Sequence, residues 1–151
     1  MSTEGASLVA GAKQWASYYG DFPNGVEGAV LTAPLRCRAA WDANDAEGFA
    51  SLFIDNGSML VGDNQLMSRD EIRSYLGELF AGPYKGSRLT LEFSEIQVVS
   101  ESMALAVSVG GVVYADAAAL APGDNVRIMW VVVKQDGDWR IASYQSSPIT
   151  G

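Results

Sequence analysis

The chain offers few side chains able to do chemistry, and the shortage narrows what it can do. It contains no histidine, which removes a histidine-based triad, a histidine general base and histidine-ligated zinc. Cys37 is the only cysteine, so no internal disulfide forms, and a reducing, cytoplasmic setting fits. A reactive thiolate needs a nearby cation or helix N-terminus. Arg36 and Arg38 flank Cys37 but point elsewhere on a helix, so it reads as an inert thiol on the same side as Trp41. Asp42 and Asp45 could work as an acid–base pair, yet their spacing suits the end of one helix and the cap of the next. Neither a cluster of metal ligands nor a glycine-rich phosphate loop is present. That leaves Ser143 and Gln145, two residues apart, which a strand presents on one face. There they could orient a ligand or an oxyanion, or pair with backbone and cavity water.

The element that must position them is a hairpin. Ile128 to Val133 and Trp139 to Tyr144 are apolar runs on either side of Asp136-Gly137. This is a strong signal for a two-residue turn with positive φ at both central positions. Pairing outward from the turn sets Lys134 near Trp139 and Val132 near Ile141. On that register Ile141, Ser143, Gln145 and Ser147 share the inward face. Arg140, Ala142, Tyr144 and Ser146 share the outward one. The first strand is apolar on both faces, so something packs on each side of it.

Upstream, a helix is expected from about Glu27 to Ala43, with Leu31, Leu35, Ala39, Val30, Pro34, Cys37 and Trp41 in its stripe. Pro34 suits only a first turn, so the regular part should begin near Thr32. Asp45 caps a second helix, Ala46 to Phe53. Asp55-Asn56-Gly57 reads as a turn, and Ser58 to Val61 as a short strand. Ser68-Arg-Asp-Glu71 is a capping box that opens a third helix to Ala81, stopped by Gly82-Pro83. Strands follow at 88–100, 104–115 and from Val126, with Gly110-Gly111 as a bend. Helices first and an antiparallel meander after define an α+β domain. Residues 1–27 read as an N-terminal arm with a short helix over 13–19, and 28–151 as the domain proper.

Composition adds exclusions. A net charge of −8 and a pI near 4.3 repel phosphate backbones and anionic lipid, so neither nucleic acid nor a membrane surface is an expected partner. No apolar run reaches membrane-spanning length, and Leu8 to Ala12 lacks the cationic flank of a signal peptide.

Residues 40–55, AWDANDAEGFASLFID, resemble the first-helix-to-first-strand signature of SnoaL-like proteins in the nuclear transport factor 2-like superfamily. Ser68 to Leu79 resembles their third helix, and Gly137-Asp-Trp-Arg-Ile-Ala142 their last strand. The resemblance covers roughly 30–147. It is nearest to the SgcJ-type small proteins encoded with nine-membered enediyne polyketide synthases. It implies a cone-shaped fold, helices on a curved, mixed but mostly antiparallel sheet, around a cavity for a hydrophobic polyketide-derived molecule. No cofactor is implied. Any reaction would be cyclisation, dehydration, isomerisation or cofactor-free oxidation. The oxyanion and base positions of the ketosteroid isomerase branch fall near Cys37, Trp130 and Val61, which lack the required groups. The acids near the expected mouth are Asp42, Asp55, Asp63 and Asp116. The expected lining is Cys37, Trp41, Met59, Val61, Leu76, Phe80, Phe93, Val107 and Trp130, with Ser143 and Gln145 as the polar pair. The outer sheet face, expected to carry Arg127, Met129, Val131, Arg140 and Tyr144 with the small residues Ala104, Ala106, Ser108 and Gly110, suggests a homodimer. A non-catalytic accessory protein is the other function class that these features allow.

Overall fold

The computed structural model describes residues 26–61 and 63–149. The expected arm, with its helix over 13–19, lies outside them except for its last two residues. Those two open helix α1, Val26–Asp42. Pro34 sits inside α1 rather than in its first turn, and Thr32 donates its hydroxyl hydrogen bond back to Ala29 O at 2.6 Å. The lost backbone bond is tolerated because the face around Pro34 is buried. Val30, Leu31, Ala33, Pro34, Cys37 and Trp41 are all buried, so tertiary packing overrides the local cost.

Helix α2, Ala46–Ala50, is capped by Asp45, whose carboxylate accepts from Gly48 N at 2.9 Å. It ends earlier than expected because Phe53 starts strand β1, Phe53–Val61. The turn expected at Asp55-Asn56-Gly57 is instead an irregular stretch of β1 between Phe53 and Ser58. Strand β2, Asn64–Leu66, pairs with the end of β1. Helix α3, Arg69–Ala81, starts at Ser68, whose hydroxyl accepts from Glu71 N, while the Glu71 carboxylate accepts from Met67 N. Strands β3 (Arg88–Ser100), β4 (Met103–Val113), β5 (Val126–Gln135) and β6 (Asp138–Pro148) follow, with a 3-10 turn at Pro122–Asp124.

The six strands run in the order β2-β1-β6-β5-β4-β3. All neighbours are antiparallel except β1 and β6, which are parallel. This is an α+β fold with a mixed, mostly antiparallel sheet. The hairpin register is the expected one, with Lys134 opposite Trp139 and Val132 opposite Ile141. Asp136 and Gly137 have φ of 53° and 83°, as the turn requires.

One residue further along β6 the expected register ends. Ile141 pairs with Val132, but Ser143 pairs with Val131, so Ala142 is an extra residue in a β-bulge. From there the side chains change faces. Tyr144, opposite Trp130, is buried, and Gln145, opposite Met129, is exposed. The expected faces of β4 are also reversed. Ala104, Ala106 and Ser108 are wholly buried on the helix side, and Leu105, Val107 and Val109 lie on the other.

Candidate functional site

Between the helices and the sheet lies a cavity of about 190 Å³. Its floor comprises buried apolar and aromatic groups: Trp41 from α1, Met59 from β1, Leu76 from α3, Leu89 from β3 and Tyr144 from β6. Its rim is more exposed and includes Tyr114, Gly123, Asp124 and Pro148. Tyr75, Leu79, Tyr84 and Val126 stand between.

The floor is held by an aromatic lattice. Trp41 meets Phe80 edge-on at 5.1 Å and Phe49 edge-on at 5.8 Å, and lies tilted against Tyr84 at 5.5 Å. Phe49 reaches Tyr144 at 6.3 Å, and Trp130 meets Tyr144 nearly perpendicularly at 4.9 Å. Each such contact contributes about 0.5–1.5 kcal/mol beyond area burial. Both indole N–H groups are satisfied within the protein: Trp41 donates to Ser87 Oγ and Trp130 to Ser108 Oγ, each at 3.0 Å. Trp41 therefore serves as a wall and Trp130 as core behind Tyr144, and polar recognition is left to other groups.

Those groups are phenols. Burial raises the Tyr144 hydroxyl well above its ordinary value, and the nearby Cys37 and Tyr84 groups add to the effect. Tyr84 is raised too, first by burial, then by Tyr114, Tyr75 and Asp124; its ring lies 5.8 Å from that of Tyr114. Both phenols stay protonated at neutral pH and act as hydrogen-bond donors. Among the described residues Asp124 is the one carboxylate on the lining, and no lysine or arginine lines the cavity.

Of the residues expected to line a cavity, Trp41, Met59, Val61 and Leu76 do so. Cys37, Phe80, Phe93 and Trp130 are buried core without a place on the lining. Burial pushes the Cys37 thiol far up, only partly opposed by Arg36, which makes it an inert group. Val107 faces away with Met129. Ser143 and Gln145 also face away: Ser58 donates to Ser143 Oγ at 3.0 Å and Gln145 Nε2 donates to it at 3.3 Å. The bulge at Ala142 is the reason, and it puts Tyr144 and Ser146 on the cavity side instead.

The expected acids serve structure. Asp42 accepts from Leu89 N at 2.8 Å, Asp45 caps α2, and Asp55 pairs with Arg69 at 2.8 Å. Asp63 and Asp116 are exposed and off the lining. Tyr75, Tyr84, Tyr114 and Asp124 were missed. The loop signals around Gly82-Pro83 and Pro122-Gly123 mark where Tyr84 and Asp124 enter, but not that both loops converge on one mouth.

An open sheet backed by helices on one side, with a pocket between, is the cystatin-like, nuclear transport factor 2-like architecture. The chain belongs to the SnoaL-like domain family, which it matches over residues 30–151. No curated protein matches it. Among solved structures it is similar to a domain of unknown function with a cystatin-like fold from Nostoc punctiforme PCC 73102. That match has 24% identity and a TM-score of 0.76, and it covers 83% of this chain and 78% of the other. A Novosphingobium aromaticivorans protein provisionally named a scytalone dehydratase is similar at 21% identity and a TM-score of 0.68, covering 81% and 83% of the two chains. A Xanthomonas campestris protein provisionally named a calcium/calmodulin-dependent protein kinase II association domain is similar at 20% identity and a TM-score of 0.70, covering 86% and 93%. At these identities the likeness establishes the fold. No helix among the described residues is long and apolar enough to cross a membrane.

Proposed function

We propose that this protein binds a small hydrophobic molecule in the cavity between α1, α3 and β6, within the biosynthesis of a polyketide-derived compound. The observation that carries the reading is a buried apolar floor under a tyrosine-lined mouth. Size limits the ligand. Small-molecule pockets usually run to roughly 300–1,000 Å³, and about 190 Å³ is smaller. A dry cavity of about 150 Å³ takes a benzene-sized molecule, so this one takes a single ring or a short polyene segment. A larger enediyne or polycyclic precursor enters by one end, with the remainder outside the rim. Burying apolar surface contributes roughly 25 cal/mol per Å², less the cost of association.

If turnover occurs, the available groups suit dehydration, isomerisation or cyclisation. Neutral phenols polarise a ligand oxygen, Asp124 at the rim can accept a proton, and the closed floor excludes water. A second reading, a dimeric accessory protein without turnover, draws on the outer sheet face. There Leu105 lies opposite Val131 and Val107 opposite Met129, none of them covered by a described element.

The test is native mass spectrometry of protein purified from its own cells, beside a cavity-filled Val126→Trp variant. A retained non-covalent compound in the wild type, lost in the variant, is the expected result. A wild type without any adduct, or a variant that keeps it, would count against cavity binding.

A further inference from the structure

We infer that the cavity selects a neutral molecule bearing a carbonyl oxygen, and that the Tyr144 hydroxyl is the group that recognises it. The inference rests on the cavity being a binding site and names the chemical class that it takes.

Three observations lead here. Tyr144 is only 4% exposed and lines the cavity. Its ring is fixed by Trp130 at 4.9 Å and Phe49 at 6.3 Å, so the hydroxyl has little freedom to turn elsewhere. That hydroxyl has no hydrogen-bond partner among the described residues, whereas both buried tryptophan N–H groups of the same floor are satisfied by serines. The hydroxyl is not wholly enclosed by protein; it opens onto the cavity and can donate to an acceptor held there.

The surroundings decide which acceptor fits. A carboxylate or phosphate would meet no cation among the described residues of the lining and would pass Asp124 into a molecule of net charge −8. An amine would find an acceptor at the rim but only phenols and hydrocarbon at the floor. A ketone, enone or quinone oxygen needs one donor and carries no charge, and its apolar body matches the walls of Trp41, Met59 and Leu76. Tyr84 and Tyr114 sit near the rim, where a second ligand oxygen would meet them.

The experiment uses three probes of similar size: acetophenone, α-methylstyrene with a methylene group in place of the oxygen, and benzoate. Their affinities are measured by calorimetry or NMR titration against the wild type, Tyr144→Phe and Tyr84→Phe. Wild type should prefer acetophenone over α-methylstyrene roughly fivefold to tenfold, the value of one buried hydrogen bond, and benzoate should bind weakest. Tyr144→Phe should erase the preference by weakening acetophenone alone, and Tyr84→Phe should leave it intact. Equal binding of acetophenone and α-methylstyrene to the wild type overturns the carbonyl assignment while leaving the cavity as a binding site. Failure of all three probes overturns both. Loss of the preference in Tyr84→Phe rather than Tyr144→Phe overturns the residue assignment. Should Tyr144→Phe not fold, the infrared carbonyl stretch of acetophenone bound to the wild type decides. A shift to lower wavenumber supports a phenol donor, and an unshifted band refutes it.

Discussion

Tyr144 and Trp41 lie in the cavity floor and Cys37 in the buried core, and their chemistry follows from burial more than from partners. Cys37 has an ordinary value of 9.0 and is pushed up by desolvation; Tyr144 is pushed up from 10.0. Groups raised in the folded state keep their protons when the unfolded chain has lost them. Their contribution to stability is therefore complete below the unfolded values and falls as pH rises beyond them. Thermal melts should be level across neutral pH and decline from about pH 9, at up to about 1.4 kcal/mol per pH unit for each group. Cys37→Ala should move the onset toward the tyrosine range near 10. An onset unchanged in that variant would mean that another group governs the alkaline limb. The sequence made Trp41, Met59, Val61 and Leu76 legible as lining because apolar type and helical or strand spacing determine them. It gave no warning that Ser143 and Gln145 would face away. Ala142 is a small residue in a regular-looking alternation, and a single inserted residue reverses every position after it.

At the scale of elements, turn chemistry and capping were readable locally, and faces that depend on packing were not. Asp136-Gly137 and Ser68 set their own backbone, so the hairpin and the start of α3 stand where the residues put them. Strand β4 alternates small with larger apolar residues, and nothing in that pattern says which set meets the helices. The structure places Ala104 and Ala106 inward because Trp130 occupies the volume beside them. Two glycines separate close approach from mere tolerance. A Cβ on Gly110 would lie 2.0 Å from Thr90 O, so Gly110→Ala should cost at least about 2 kcal/mol. Gly77, in exposed helix with open space around it, should gain about 0.5–1 kcal/mol on substitution by Ala. Denaturant unfolding of the two variants measures both. A neutral Gly110→Ala would show that β3 and β4 do not approach as closely as described.

At the scale of the whole molecule, the sheet has one face packed against helices and one without a described cover. The uncovered face runs from Ser58, Ser143 and Gln145 through Met129, Val131, Leu105 and Val107 to Glu95 and Gln97. It is apolar in the middle and polar at both margins, the pattern of an interface core with its rim. Sedimentation should show a dimer at micromolar concentration, converted to monomer by Met129→Glu. A wild-type monomer under those conditions would remove the dimer proposal without touching the cavity.

The cavity itself can be read from one side chain. Among the methionines of the described residues, Met59 alone is on the cavity lining, while Met67, Met103 and Met129 are exposed. The most direct measurement is a titration of acetophenone into protein labelled with ¹³C at the methionine methyls. Met59 should shift progressively to saturation while Met67, Met103 and Met129 stay in place. A Met59 signal that never moves, or one that moves only together with the exposed three, would contradict a binding cavity at the heart of this fold.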